Sequence, residues 1–290
     1  MADPHYLAPV AKLDARSLLS ALNAQENLGL TFLDMAPGGE VGAAYVQWPD
    51  GHEGVLTVGA KPADEVRAIA ALLETVRSRG IPAPRYEVVA DVGGTVALVQ
   101  ERLPGSLPAR LTRELAQQIL EVLGKFENVL AGRDDIPIPD LYLRHSGPGF
   151  CIHETLASHS ARTRAVLRWV RDTGRRGYAR MHGDDLVHLD LHAHNVLVDE
   201  AGTITGIVDW DGIGRGDRRF ALATLRFAAL GQQADADTTA WLDKVLDEHL
   251  ESETLRAYWA SMSLREVDWA IRHHPERLDE VLELAESRMD

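Results

Sequence analysis

His188-Leu189-Asp190-Leu191-His192-Ala193-His194-Asn195-Val196-Leu197-Val198, followed after a turn by Ile207-Val208-Asp209-Trp210-Asp211, is the stretch on which the reading of this chain turns. It spells His-x-Asp-x4-Asn, a short apolar strand, the turn Glu200-Ala201-Gly202, a second apolar strand over Ile204–Val208, and an aspartate. Two apolar runs around a glycine turn pair with each other. Pairing brings their outer ends, Asn195 and Asp209, back to the same place, and the loop that ends at Asn195 carries Asp190.

Phosphoryl transfer asks for this set. It needs one group to orient an acceptor hydroxyl and take its proton, and hard oxygen ligands for the Mg2+ that bridges the phosphates. Asp190 suits the first task; the amide oxygen of Asn195 and the carboxylate of Asp209 suit the second. His188 braces the loop by hydrogen bonding. His182-Gly183-Asp184 imitates the start of the pattern, but Leu189 stands where its asparagine would have to be. A zinc site built on His188, His192 and His194 would need neither the asparagine nor the distant aspartate.

On these residues the chain resembles the aminoglycoside phosphotransferase/choline kinase-like family, whose members resemble protein kinases. Gly80-Ile81-Pro82-Ala83-Pro84 is similar to that family's exit from its first long helix, and Leu98-Val99-Gln100-Glu101-Arg102-Leu103-Pro104-Gly105 is similar to its hinge. The resemblance implies an α+β, protein-kinase-like bilobal fold with a small antiparallel-sheet lobe and a large helical lobe. It implies Asp190 as the catalytic residue, Asn195 and Asp209 as Mg2+ ligands, and adenine bound to the backbone near Gln100 and Arg102. ATP is the expected phosphate donor, with GTP an open alternative. The family's phosphate-binding cation on the third strand falls at Thr57, which cannot neutralise a phosphate. Lys61 is the nearest cation, with Glu65 as its candidate helix partner. Phe220 stands where the family usually has an aspartate before Leu-Ala.

Outward from this centre, Ala43–Trp48 and Gly54–Val58 flank Pro49-Asp50-Gly51 and read as a hairpin. A glycine turn, Pro37–Gly42, precedes it. Pro62 opens a helix whose Val66, Ile69, Leu73 and Val76 fall at helical spacing. Strands follow near Arg85–Ala90 and Thr95–Glu101. Helices are expected over Thr112–Ala131, His153–Thr173, Arg218–Gly231, Thr238–His249, Glu253–His273 and Pro275–Met289. The expected division is a nucleotide lobe over 1–102 and a catalytic and substrate lobe over 103–290.

The 290 residues carry a formal charge of −14, which disfavours nucleic acid and anionic membrane and suits a cationic small molecule. Candidate substrate contacts are Asp184, Asp185, Asp211, Glu266 and Asp268. No apolar run is long enough to span a bilayer, and Met1–Asp14 lacks a secretory pattern. A single cysteine, Cys151, excludes an intrachain disulfide and reads as structural; the expected location is the cytoplasm. The expected substrate is a cationic antibiotic, an aminoglycoside or a basic peptide, bound by a monomer or homodimer. A sugar, a choline-like amine, an amino alcohol, or nucleotide binding without turnover are the alternatives.

Overall fold

The computed structural model describes residues 12–37, 41–177 and 180–289. Among these, contacts divide the chain into two compact units. One holds 12–106 with 196–211; the other holds 107–195 with 212–289. The break falls after Ser106 rather than at 102, and the strand pair after Asn195 belongs with the N-terminal unit. The reason is local. Ser106 exchanges backbone hydrogen bonds with Val198, both 2.9 Å, and Leu103 packs so closely on Gly206 that a Cβ there would lie 2.9 Å from its Cδ1.

The N-terminal unit begins with helix α1 (Ala15–Glu26), absent from the sequence expectations. Asp14 caps it by accepting from the Ser17 N–H, and left-handed Asn27 closes it. Strands β1 (Thr31–Met35), β2 (Ala44–Gln47) and β3 (Glu53–Val58) follow, then helix α2 (Ala63–Ser78) entered through Pro62. Strands β4 (Tyr86–Val92) and β5 (Thr95–Glu101) complete an antiparallel sheet of order β1-β2-β3-β5-β4. The expected hairpin is β2–β3, in register Gln47↔Glu53.

Strand β5 is apolar on both faces because both are covered. Ala97 and Val99 pack with Leu19 and Leu22 of α1, while Val96 and Leu98 pack with Val66 of α2. A central strand so enclosed loses the polar alternation of a half-exposed one. The expected glycine turn Pro37–Gly42 lies partly outside the described residues, at 38–40.

The C-terminal unit holds helices α3 (Arg113–Gly124), α4 (His153–His159) and α5 (Ala161–Arg175), then strand β6 (Asp185–His188). Strands β7 (Val196–Val198) and β8 (Ile204–Ile207), of the first unit, pair antiparallel. Strand β9 (Ile213–Gly216) returns to pair with β6, and helices α6 (Phe220–Ala228), α7 (Ala236–His249), α8 (Ser252–His273) and α9 (Leu278–Glu286) follow. The helix expected over His153–Thr173 is two helices. Ser160 ends α4 and caps α5 in a reciprocal box with Thr163. Helix α8 is the unit's spine, with Trp259, Leu264 and Val267 fully buried.

Candidate active site

Strand β6 delivers the loop. Its partner β9 reads as irregular because it is Ile-Gly-Arg-Gly, yet those glycines are what the pairing needs: a Cβ on Gly214 would sit 2.6 Å from Pro139 Cγ. His188, buried at the end of β6, accepts the Asp190 N–H on Nδ1 at 3.2 Å, so the proton of its neutral form resides on Nε2. The Leu189 N–H donates to Gly212 O at 3.0 Å. Leu191 and Ala193 plug into the core, and the Ala193 N–H donates to Gln232 Oε1 at 3.2 Å. The loop is thereby anchored on both sides of Asp190.

Asn195, buried at the end of a short 3-10 turn, reaches back to Asp190. Its Nδ2 donates to the main-chain oxygen of Asp190 at 2.9 Å and to its Oδ2 at 3.1 Å. His192 Nε2 lies 3.4 Å from the same Oδ2. From α8, Arg265 Nη2 donates to Asp190 Oδ1 at 2.7 Å and Nη1 to Leu189 O at 2.9 Å. Burial alone would push the Asp190 carboxyl up, but Arg265 and then His192 outweigh it and hold the group well below the usual carboxylate range. Asp190 is thus held in its ionised form, with 29% of its side chain exposed.

Asp209 follows β8 in the N-terminal unit. The pairing Val196↔Ile207 sets the start of β7 beside the end of β8, so Asn195 directly precedes one of these ends and Asp209 follows shortly after the other. Asp209 is exposed and adopts φ 62°, left-handed backbone that a non-glycine residue rarely takes. Such strain concentrates at ligand-binding positions. Buried Trp210 anchors it, donating Nε1–H to Ile207 O at 2.7 Å. Burial pushes the Tyr86 hydroxyl strongly upward, and the neighbouring charges of Asp211 and Asp209 add to this.

Each of the two side chains, Asn195 and Asp209, taken by itself, offers an oxygen of the kind a hard divalent cation accepts. Asn195 turns its Nδ2 onto Asp190, which leaves its amide oxygen as the remaining polar atom of that side chain, and Asp209 offers a carboxylate on a strained turn. The histidines do not assemble a zinc site: among the described residues no three His, Cys, Asp or Glu side chains group to hold a metal. His188 and His192 are instead turned to Asp190.

The nucleotide candidates lie along the sheet of the N-terminal unit. Gln100 is near the end of β5, between Val55 and Tyr86. The Arg102 N–H donates to Glu53 O at 3.4 Å; its guanidinium pairs with the Glu53 carboxylate and lies 3.7 Å over the Tyr45 ring. The first main-chain groups beyond this pairing belong to Leu103. Lys61 sits past the other end of the sheet, where the Gly59 N–H donates to Val96 O at 2.9 Å. It lines a cavity of about 660 Å3 with Arg67, Asp64 and Asp91. No ion pair joins Lys61 to Glu65, which is exposed in the first turn of α2, where the helix dipole favours an acid. Thr57 Oγ1 donates to Gly42 O at 3.3 Å.

Of the substrate candidates, Glu266 lies near Asp190. Burial pushes its carboxyl up, against the pull of Arg265, and the nearby charge of Asp190 adds to the rise. Asp268 is fully buried, held by Arg272 at 2.9 Å and by the Ile152 N–H at 2.8 Å, so it braces α8 and presents no face to a ligand. Asp184 and Asp185 flank the start of β6, the end remote from the loop, roughly 10 Å back from His188 at strand rise. Asp185 accepts from the Asn128 N–H and from Arg218, both at 2.8 Å, and Asp184 from Arg215 at 3.2 Å. Asp211 Oδ2 accepts the Ala60 N–H at 3.4 Å, tying its turn to the loop before α2.

Two side-chain roles, one beside Asp190 and one structural, escaped the sequence reading. Arg265 looks like any charge on a long helix. Asp217, ahead of the position filled by Phe220, is buried between Arg219 at 2.9 Å and the Tyr258 hydroxyl at 2.8 Å, and steadies the turn after β9.

Comparison with known proteins identifies the family and the fold. Residues 38–262 match the model of the phosphotransferase enzyme family, APH. Among solved structures, the chain is similar to a thermostable mutant of aminoglycoside phosphotransferase APH(4)-Ia, at 18% identity and TM-score 0.65, covering 93% of this chain and 97% of that one. It is also similar to spectinomycin phosphotransferase APH(9)-Ia in complex with ADP and spectinomycin, at 13% identity and TM-score 0.62, covering 95% and 98%. Macrolide 2'-phosphotransferase MphH from Brachybacterium faecium follows at 18% identity and TM-score 0.54, covering 96% and 98%. No curated protein sequence matches. No helix among the described residues is long and apolar enough to cross a membrane.

Proposed function

This chain belongs to the phosphotransferase enzyme family, with the protein-kinase-like α+β fold of that family's members, and from that premise we propose that it transfers the γ-phosphoryl group of ATP to a hydroxyl of a cationic antibiotic. The observation that carries the proposal is the Asn195–Asp190 clasp, one side chain fixing the acid and keeping an amide oxygen as its remaining polar atom. Asp190 orients the acceptor hydroxyl and takes its proton. Its depressed pKa makes it a weak base early in the reaction. That suits a loose transition state, where the proton leaves late and positioning dominates. Asn195 and Asp209 are the residues that would hold Mg2+, which when bound offsets charge on the phosphates. The sheet of the N-terminal unit would carry the nucleotide, its purine against the main chain beyond Gln100 and Arg102, with Lys61 the candidate cation for its phosphates.

A cationic acceptor is supported by the net charge of −14, and a cation bound beside Glu266 would offset the burial that disfavours its ionised form. Solved structures with this fold include proteins described as binding hygromycin B and spectinomycin. The test is to incubate the protein with Mg-ATP and a panel of aminoglycosides, basic peptide antibiotics, macrolides, sugars and amino alcohols, and to follow ADP release. Release stimulated by a cationic antibiotic is expected; stimulation by a sugar or amino alcohol alone would move the substrate assignment. The Thr57 hydroxyl, bonded to Gly42 in place of a strand cation, favours a second reading: nucleotide binding without turnover. Binding of Mg-ATP with no release under any acceptor would support it.

A further inference from the structure

We propose that Arg265 is a positioning residue of the phosphotransfer centre, acting through Asp190. It lies beyond the segment that matches the family model, which ends at 262, so the family pattern assigns it no role. The inference deepens the phosphotransferase reading and rests on it for its kinetic part.

An ionised carboxylate offers about four lone-pair positions. Among the described residues Arg265 takes one on Asp190 Oδ1 and Asn195 one on Oδ2, and His192 Nε2 lies 3.4 Å from that same Oδ2. Oδ2 is the more crowded oxygen, which places the acceptor hydroxyl on Oδ1, beside the guanidinium. Arg265 also holds the Leu189 carbonyl, so one planar fork spans the main chain and the side chain of the same loop segment. Asn195 grips the carboxylate at Oδ2, and Arg265 adds a hold at Oδ1, so the group is held at both oxygens against rotation. The fork comes from α8, whose neighbouring residue is Glu266. The helix that presents an acid to the substrate is thus the helix that sets the base.

A misplacement of about 1 Å in a reacting group lowers a rate by roughly 10²-fold. Arg265→Ala should lower kcat by about that factor, leave KM for ATP within about twofold, and recover part of kcat in the presence of guanidinium ion. Arg265→Lys, which keeps the charge but loses the fork, should fall between wild type and Arg265→Ala and serves if the alanine variant does not fold. In an Asp190→Asn background Arg265→Ala should cost little further, because its effect passes through the missing carboxylate. Equal losses in both backgrounds, or a change confined to KM, would overturn the proposal. A crystal structure of Arg265→Met tests the positioning without any turnover: the Asp190 side chain should leave its rotamer, and an unmoved carboxylate overturns the claim. If the wild type phosphorylates nothing on the panel, the functional reading fails while this crystallographic arm still decides the role of Arg265.

Discussion

Asn195 donates from a single nitrogen to both the carbonyl and the carboxylate of Asp190, at 2.9 and 3.1 Å. The bond does two jobs at once. It closes the loop into a ring whose geometry holds the acid, and it sets the amide so that oxygen, the atom a hard cation prefers, is the one left over.

Removing that bond should therefore affect two measurements together. Asn195→Ala is expected to lower turnover by about 10²-fold and to raise the Mg2+ concentration required for half-maximal rate. Asp209→Ala should raise the Mg2+ requirement without disturbing Asp190. Rates measured across a Mg2+ titration check this, and an unchanged Mg2+ dependence in both variants would contradict the ligand assignment.

Glu266 predicts a pH signature in stability. Its carboxyl is pushed up by burial, against Arg265. The uncharged form favoured by the fold is fully present below the ordinary glutamate range and is lost as pH rises through the elevated folded value. Glu266→Gln should therefore raise the melting temperature near pH 8 and leave it unchanged near pH 4. Thermal melts of both proteins at the two pH values decide it; an equal shift at both would mean packing, not ionisation, sets the difference.

Asp268 should behave as a structural acid. Arg272 and the Ile152 N–H rely on it inside the protein. Asp268→Ala takes its carboxylate partner from the largely buried Arg272 guanidinium and is expected to destabilise the fold by about 3–5 kcal/mol. Chemical denaturation measures the loss. At temperatures where the variant remains folded, its KM for the acceptor should match wild type; a raised KM with unchanged stability would restore Asp268 as a substrate contact.

Cys151 should be inert. Burial pushes its thiol up to about 12, although Arg265 lies near enough to oppose the shift. Iodoacetamide near neutral pH should label it only after denaturation. Rapid labelling of the folded protein, followed by mass spectrometry, would contradict the structural role.

The reach of the sequence follows from how local each signal is. The loop from His188 to Asn195 was readable because its chemistry sits within one turn of chain, and the β7–β8 pair because two apolar runs flank a glycine turn. Helix α2 and the β2–β3 hairpin announced themselves through Pro62 and Pro49-Asp50-Gly51. By contrast, Arg265 meets Asp190 from 75 residues away, and nothing in its neighbours separates it from a solvated arginine. The β6–β9 pair was hidden because close approach to Pro139 requires glycine where a strand would ordinarily show β-branched residues. Asp184, Asp185 and Asp268 were plausible substrate acids by type alone; the arginines and backbone donors that occupy them lie elsewhere in the chain.

The central claim is that the Asp190 carboxylate orients the hydroxyl that receives phosphate. The most direct measurement compares wild type with Asp190→Asn in transfer of labelled γ-phosphate from Mg-ATP to the acceptor found on the antibiotic panel, with folding checked by circular dichroism. A general base of this kind contributes about 10²- to 10⁴-fold. The account predicts a folded variant that still binds nucleotide and loses transfer by a factor in that range; a folded variant that transfers phosphate at nearly the wild-type rate would contradict it.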